Sequence, residues 1–155
     1  MSKVIEFINL TPDWIDYYLK WFNDEKVRRF LWPSTPRQRD KIKHWLTKVA
    51  FSPKYRYFGI KVDGYPVGHT GMTINFRRLE AKIGVVIGEP SYWGQGIATL
   101  CAAHLIKEGK KLRLRTLKAR VVKENKPSLR TLLKNNFEIY YQRNCYYYLR
   151  FFIDK

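Results

Sequence analysis

The run Ile83-Gly84-Val85-Val86-Ile87-Gly88-Glu89-Pro90-Ser91-Tyr92-Trp93-Gly94-Gln95-Gly96-Ile97-Ala98 constrains the fold more than any other stretch. Ile83, Val85, Val86 and Ile87 form a β-branched run bounded by turn residues, the pattern of a strand in a sheet interior. Gly88 and Pro90 end it. Gly94 and Gly96 let the backbone curl tightly and leave no Cβ in the way of an approaching ligand. From Ile97 to Lys107 the pattern is helical, with Ile97, Cys101 and Leu105 on one face. A glycine turn opening a helix aims unpaired N–H groups and the positive end of the helix dipole at one spot, an anion site of phosphate size. The same pattern also serves as a plain tight connection between strand and helix. It is neither the dinucleotide fingerprint, which needs a third glycine, nor a triphosphate loop, which ends in Gly-Lys-Ser/Thr.

The rest of the chain supplies a sheet around this strand. Lys3 to Asn9 alternates weakly and reads as a first strand. Thr11-Pro12-Asp13 marks a helix start, with Thr11 as N-cap, and Trp14, Tyr17, Tyr18, Trp21 and Phe22 follow at helical spacing as a core stripe. Asn23-Asp24-Glu25 closes that helix, and Thr35-Pro36 opens a basic one through Val49. Tyr55 to Val62 and Val67 to Asn75 make a hairpin about Asp63-Gly64. Three strands thus meander into the central one, and a helix and the strand Leu117 to Val122 follow in βαβ order, which requires a parallel crossover. Asn125-Lys126-Pro127 starts a last helix that Asn135-Asn136 caps, and Phe137 to Gln142 with Tyr146 to Ile153 closes the sheet. At 155 residues the chain reads as one domain, 1–155, of α/β class. Its sheet is mixed and mostly antiparallel, with about 6–7 strands and about four helices on its faces.

Tyr92-Trp93-Gly94-Gln95-Gly96-Ile97-Ala98 resembles the acyl-CoA signature Q/R-x-x-G-x-G/A of the GNAT superfamily of N-acetyltransferases. Trp93 stands in the Q/R place, a departure shared with the Y-W-G-x-G form of the branch that includes ribosomal-protein-alanine and amino-sugar acetyltransferases. Asn125-Lys126-Pro127-Ser128, with Phe137 nine residues after the serine, is similar to a second family element, N-x-x-S/A … G-F. The element order is also that of the family. The resemblance implies that amides of Trp93, Gly94, Gln95, Gly96, Ile97, Ala98 and Thr99 hold the CoA pyrophosphate. It implies further that the preceding strand splays to receive the pantetheine arm.

By the same resemblance, backbone N–H groups of Val85, Val86 and Ile87 polarise the thioester oxygen as an oxyanion hole does, and Asn125 contacts the pantetheine. Many relatives protonate the leaving sulfur with a Tyr seven residues after this Asn, but that position is Leu132. Ser128 is the expected proton donor instead, with first-turn helix capping as its alternative role. The family's strand glutamate falls on Lys82, so Glu89, or Glu80, or a water chain is left as the base. The connection between the first two helices forms a wall of the acceptor pocket in the family, which makes Arg29 and Trp32 acceptor candidates. His69, between two glycines on the neighbouring strand, is a third.

Function classes narrow further on charge and cysteine content. Thirty Lys and Arg against 13 Asp and Glu give a formal net charge of +17, an electrostatic footprint for an anionic partner. That balance counts against a polycationic acceptor and suits a nucleotide-sugar, a ribosomal particle or nucleic acid. Cys101 and Cys145 give neither a disulfide framework nor metal-ligand spacing, so no metal is expected. No early apolar run has a signal-peptide layout and none reaches the ~18 residues of a span, so a cytoplasmic monomer or homodimer is expected. The first reading is therefore an acetyl-CoA-dependent N-acetyltransferase acting on a protein N-terminus or an amino sugar. The second is a basic nucleic-acid- or ribosome-binding module without catalysis, resting on Lys107, Lys110, Lys111, Arg113, Arg115, Lys118 and Arg120 around one helix end.

Overall fold

The computed structural model describes residues 3–31 and 37–153. In chain order these form β1 (Ile5–Asn9), α1 (Ile15–Phe22), α2 (Glu25–Arg28), α3 (Arg39–Phe51), β2 (Tyr55–Val62), β3 (Tyr65–Asn75) and β4 (Glu80–Ile87). There follow α4 (Ile97–Lys111), β5 (Thr116–Val122), α5 (Lys126–Lys134), β6 (Glu138–Arg143) and β7 (Tyr146–Phe152). All seven strands share one sheet in the order β1-β2-β3-β4-β5-β7-β6, and β4 with β5 is its one parallel pair. The helix between β4 and β5 explains that exception, because a parallel neighbour needs a crossover long enough to return the chain.

One sheet face packs on α4 and α5. Phe58, Met72, Ile74, Ala81, Leu117, Val121 and Leu149 meet Leu105 and Leu132 there as a buried core. The other face is covered on its β1–β4 half by α1 and α3, whose Tyr18, Trp21, Phe22, Ile42 and Leu46 pack with Tyr55, Tyr57 and Val86. The aromatic stripe of α1 is thus core, apart from Tyr17, which stays 37% exposed.

Several expectations need correction. Among the described residues there are five α-helices against the four or so expected, and the added one is where Asp24 opens the four-residue α2 instead of ending α1: its carboxylate accepts the Lys26 N–H at 2.9 Å. Thr11 does not cap with its hydroxyl, which bonds to the Asp13 carboxylate, and a 3-10 turn over Pro12–Trp14 precedes α1. The helix start at Thr35-Pro36 lies outside the described residues, and α3 begins at Arg39. The central strand is not a full sheet interior: Ile83 to Ile87 are only half-buried. The cause lies in its pairing with β5. Elsewhere local signals held: Asn136 takes the left-handed conformation after α5 (φ 66°), and Asp63-Gly64 does so in the β2–β3 hairpin.

Candidate active site

Register makes the site. β4 pairs with β5 only from Glu80/Thr116 to Lys82/Lys118, after which the strands part. The Leu79 carbonyl accepts from Arg115 on the β5 side, and the Gly88 N–H donates to Val67 on the β3 side. Because alternate residues of a strand share a side, the main-chain groups of Ile83, Val85 and Ile87 face the gap. Val86 is turned the other way. Its main chain pairs with His69 on β3, and its side chain packs under α1 and α3. Of the three residues expected to polarise a carbonyl, Val85 and Ile87 present N–H groups to the gap and Val86 does not.

The loop that follows is shaped by its own bonds. Pro90–Tyr92 makes a 3-10 turn, and the Trp93 indole N–H donates to the Ile87 carbonyl at 2.8 Å, holding the loop against the strand end. Gln95 donates to the Ser91 carbonyl at 2.9 Å and accepts from the Lys3 ammonium, which also lies 5.4 Å from the Tyr92 ring. Gly94 (φ 74°) and Gly96 (φ 81°) are left-handed, and a Cβ on either would meet no atom within 4 Å. Gly96 is the N-cap of α4 and no side chain caps the first turn. The N–H groups of Ile97, Ala98 and Thr99 therefore have no helical partner and surround open space. Asn135 at the end of α5 donates to the Thr99 carbonyl at 3.2 Å, tying the two helices beside this turn.

β5 runs straight into the second motif. The Asn125 N–H donates to the Val122 carbonyl at 2.8 Å, and its carboxamide accepts from the Ser128 N–H at 3.3 Å. Asn125 thus caps α5, and half-buried Ser128 sits in its first turn. Leu132 is sealed in the core, so it offers no proton. Burial pushes the Cys101 thiol up to about 12, which suits core packing and not nucleophilic attack.

Glu89 is almost fully buried at the end of β4. Its carboxylate accepts from the Trp21 indole at 3.0 Å and from Lys20 at 2.9 and 3.2 Å. Sequence reasoning missed these partners because they come from α1, 68 and 69 residues away. Glu80 is held by Lys118 at 3.2 Å at the closed end of the gap. Arg29 is exposed, packs over the Phe30 ring, and lines a surface hollow with Glu25, Lys26 and Arg28. Trp32 lies outside the described residues.

His69 is enclosed by the rings of Tyr18, Phe22, Trp45 and Tyr57, and its Nδ1 shares a hydrogen bond with the Tyr18 hydroxyl. Burial, with the nearby Arg37 cation, pushes it down to about 3. It is therefore neutral at physiological pH and a weak base. The sign of its effect on stability follows. Below about 6.5 the unfolded chain binds a proton that the native state refuses, so the full contribution is present above that pH and is lost as pH falls, at ~1.4 kcal/mol per unit. Unfolding free energies by denaturant at pH 7 and pH 5 should fall by about 2 kcal/mol less in His69→Gln than in the unaltered protein. Equal falls would remove His69 as the acid-sensitive group.

Among the described residues no group of His, Cys, Asp and Glu has a metal-site arrangement, and no helix is long and apolar enough to cross a membrane. The model of the acetyltransferase (GNAT) domain family matches residues 5–138. No curated protein matches the chain in sequence. Solved structures resemble it closely in fold. The ribosomal alpha-N-protein acetyltransferase RimL, in complex with coenzyme A, superposes at a TM-score of 0.86 with 15% identity, over 99% of this chain and 96% of that one. The GNAT-family acetyltransferase from Bacillus anthracis gives 0.82 and 20%, over 97% and 96%. The N-acetyltransferase PseH from Campylobacter jejuni, in complex with acetyl coenzyme A, gives 0.72 and 21%, over 96% and 99%.

Proposed function

The chain belongs to the GNAT acetyltransferase family, and from that membership we propose that it moves the acetyl group of acetyl-CoA to a primary amine by direct attack. The single observation that carries this is the parting of β4 from β5 just ahead of a left-handed glycine loop and an uncapped α4. A diphosphate fits the first-turn amides of Ile97, Ala98 and Thr99, and the free edge of β4 fits an amide-bearing arm.

Acyl transfer here needs no covalent enzyme intermediate. The amine nitrogen forms a bond to the thioester carbon, whose oxygen draws on the N–H groups of Val85 and Ile87 as charge develops. The carbon–sulfur bond then breaks, and the sulfur takes a proton from the Ser128 hydroxyl. The proton lost by the amine leaves through Glu89 or a water chain and restores the serine. Holding both reactants in one cleft can remove ~7–11 kcal/mol of barrier, so positioning outweighs any single acid or base. Asn125 supports this by fixing the turn that carries Ser128. The acceptor is an amine on an anionic carrier, a protein N-terminus on a ribosomal particle or a nucleotide-linked amino sugar, in keeping with the net charge of +17.

Acetyl-CoA at a hundred times its dissociation constant should stabilise the protein by ~2.7 kcal/mol, a melting-point rise of about 5 °C or more. No rise would leave the non-catalytic binding module standing. Ser128→Ala should keep that rise and lower kcat about a hundredfold in a free-thiol release assay. Unchanged turnover would take the serine out of the mechanism.

A further inference from the structure

Among the described residues, the face of the sheet opposite α4 and α5 is only half covered. The buried cluster of α1 and α3 reaches Tyr55 and Tyr57 on β2 and Val86 on β4, and takes in no residue of β5, β6 or β7. Register places what this open half presents. Lys82, Lys118 and Arg150 lie in one row, Arg120, Tyr148 and Tyr141 in the next, Val122, Tyr146 and Arg143 in the third. The rings form a continuous track: Tyr141 to Tyr148 is 5.4 Å between centroids and Tyr148's neighbour Tyr146 is 6.4 Å away. Guanidiniums interleave with them, Arg120 at 4.5 Å over Tyr146 and Arg150 at 4.8 Å over Phe152. The two carboxylates bordering the face, Glu80 and Glu138, are each neutralised by a neighbour, Lys118 and Arg150. Lys82, Arg120 and Arg143 remain exposed as surplus cations.

We propose that this open half of the sheet binds a single-stranded nucleic acid, with bases against the Tyr141–Tyr148–Tyr146 track and phosphates on the surplus cations. Every base has a face to stack on a ring, and a track of rings flanked by cations is the general form of such a surface. A duplex hides its base faces, so the track selects against it. The overall charge supplies the long-range attraction. The basic residues that stand together in sequence divide here. Lys107, Lys110 and Arg113 sit on and after α4, away from the track, while Lys118 and Arg120 point from β5 into it. The surface goes beyond acetyl transfer and does not depend on it.

The test is fluorescence anisotropy of labelled twelve-nucleotide U and dT strands, and of a twelve-base-pair duplex, at 50 and 200 mM salt. We expect both single strands to bind more tightly than the duplex. Arg120→Gln/Tyr148→Leu should weaken single-strand binding at least tenfold. Lys107→Gln/Lys110→Gln/Arg113→Gln removes three charges instead of one and should weaken it less than threefold. Each variant's melting-point rise with acetyl-CoA reports folding and the cofactor site separately, so failure here and failure of the transferase reading are distinct results. Equal binding of duplex and single strand, or a larger loss in the triple variant, would overturn the proposal in favour of bare charge. Sedimentation showing that Arg120→Gln/Tyr148→Leu only splits a dimer would overturn it in favour of a second copy on this face.

Discussion

Gly96→Val is expected to weaken acetyl-CoA binding by at least a hundredfold while leaving the folded protein largely intact. Gly96 holds φ at 81°, where a β-branched residue is strained by about 1–2 kcal/mol, yet a Cβ there meets nothing within 4 Å. The fold has room for the side chain, and the room is the space in front of the α4 amides. A built-in control exists at Gly64, which has the same φ of 81° and the same freedom from neighbours but sits in the β2–β3 hairpin. Gly64→Val should carry the backbone cost alone and bind the cofactor normally. Isothermal titration of both variants separates the contributions. Equal affinities would mean that the loop does not grip the diphosphate.

Gly88→Ala should destabilise the protein by about 3 kcal/mol or more, lowering the melting point by roughly 10 °C. Its Cβ would fall 2.1 Å from Cγ of Trp21. That indole is 1% exposed and donates to Glu89, so it cannot retreat without opening the α1 core and giving up one hydrogen bond to a buried carboxylate. Trp21→Ala loses volume by itself, but it removes Cγ, so in the double variant it vacates the point of collision. The two changes should therefore be less costly together than their sum, by at least 1 kcal/mol in a double-mutant cycle. Additive costs would show that the close approach is relieved elsewhere.

What could be read from the chain beforehand follows from the range of each signal. The central strand, the two-glycine loop and α4 were legible because period, turn chemistry and helix pattern all lie within one short run. The hairpin at Asp63-Gly64 and the cap at Asn125 are local in the same sense. α2 was hidden because a single turn has no period to detect, although Asp24 ahead of Glu25 carried the signal of a start. The half-exposure of Ile83 to Ile87 was not legible: a β-branched run reads the same whether its neighbour stays paired or departs after Lys82. The surroundings of Glu89 and His69 were out of reach for a related reason. Each depends on α1 docking across the sheet, and no spacing along the sequence encodes that contact. Of the two residues expected to wall the acceptor pocket, Arg29 is exposed after α2 and Trp32 falls outside the described residues.

The contact of Lys3 with Gln95 and the Tyr92 ring has a practical reach. It sets the Lys3 ammonium alongside the glycine turn, so a change at this one side chain is felt where the cofactor is proposed to enter. Lysine-directed labelling reagents will then disturb that turn for reasons unrelated to catalysis, and unlabelled protein is the proper reference for comparing variants.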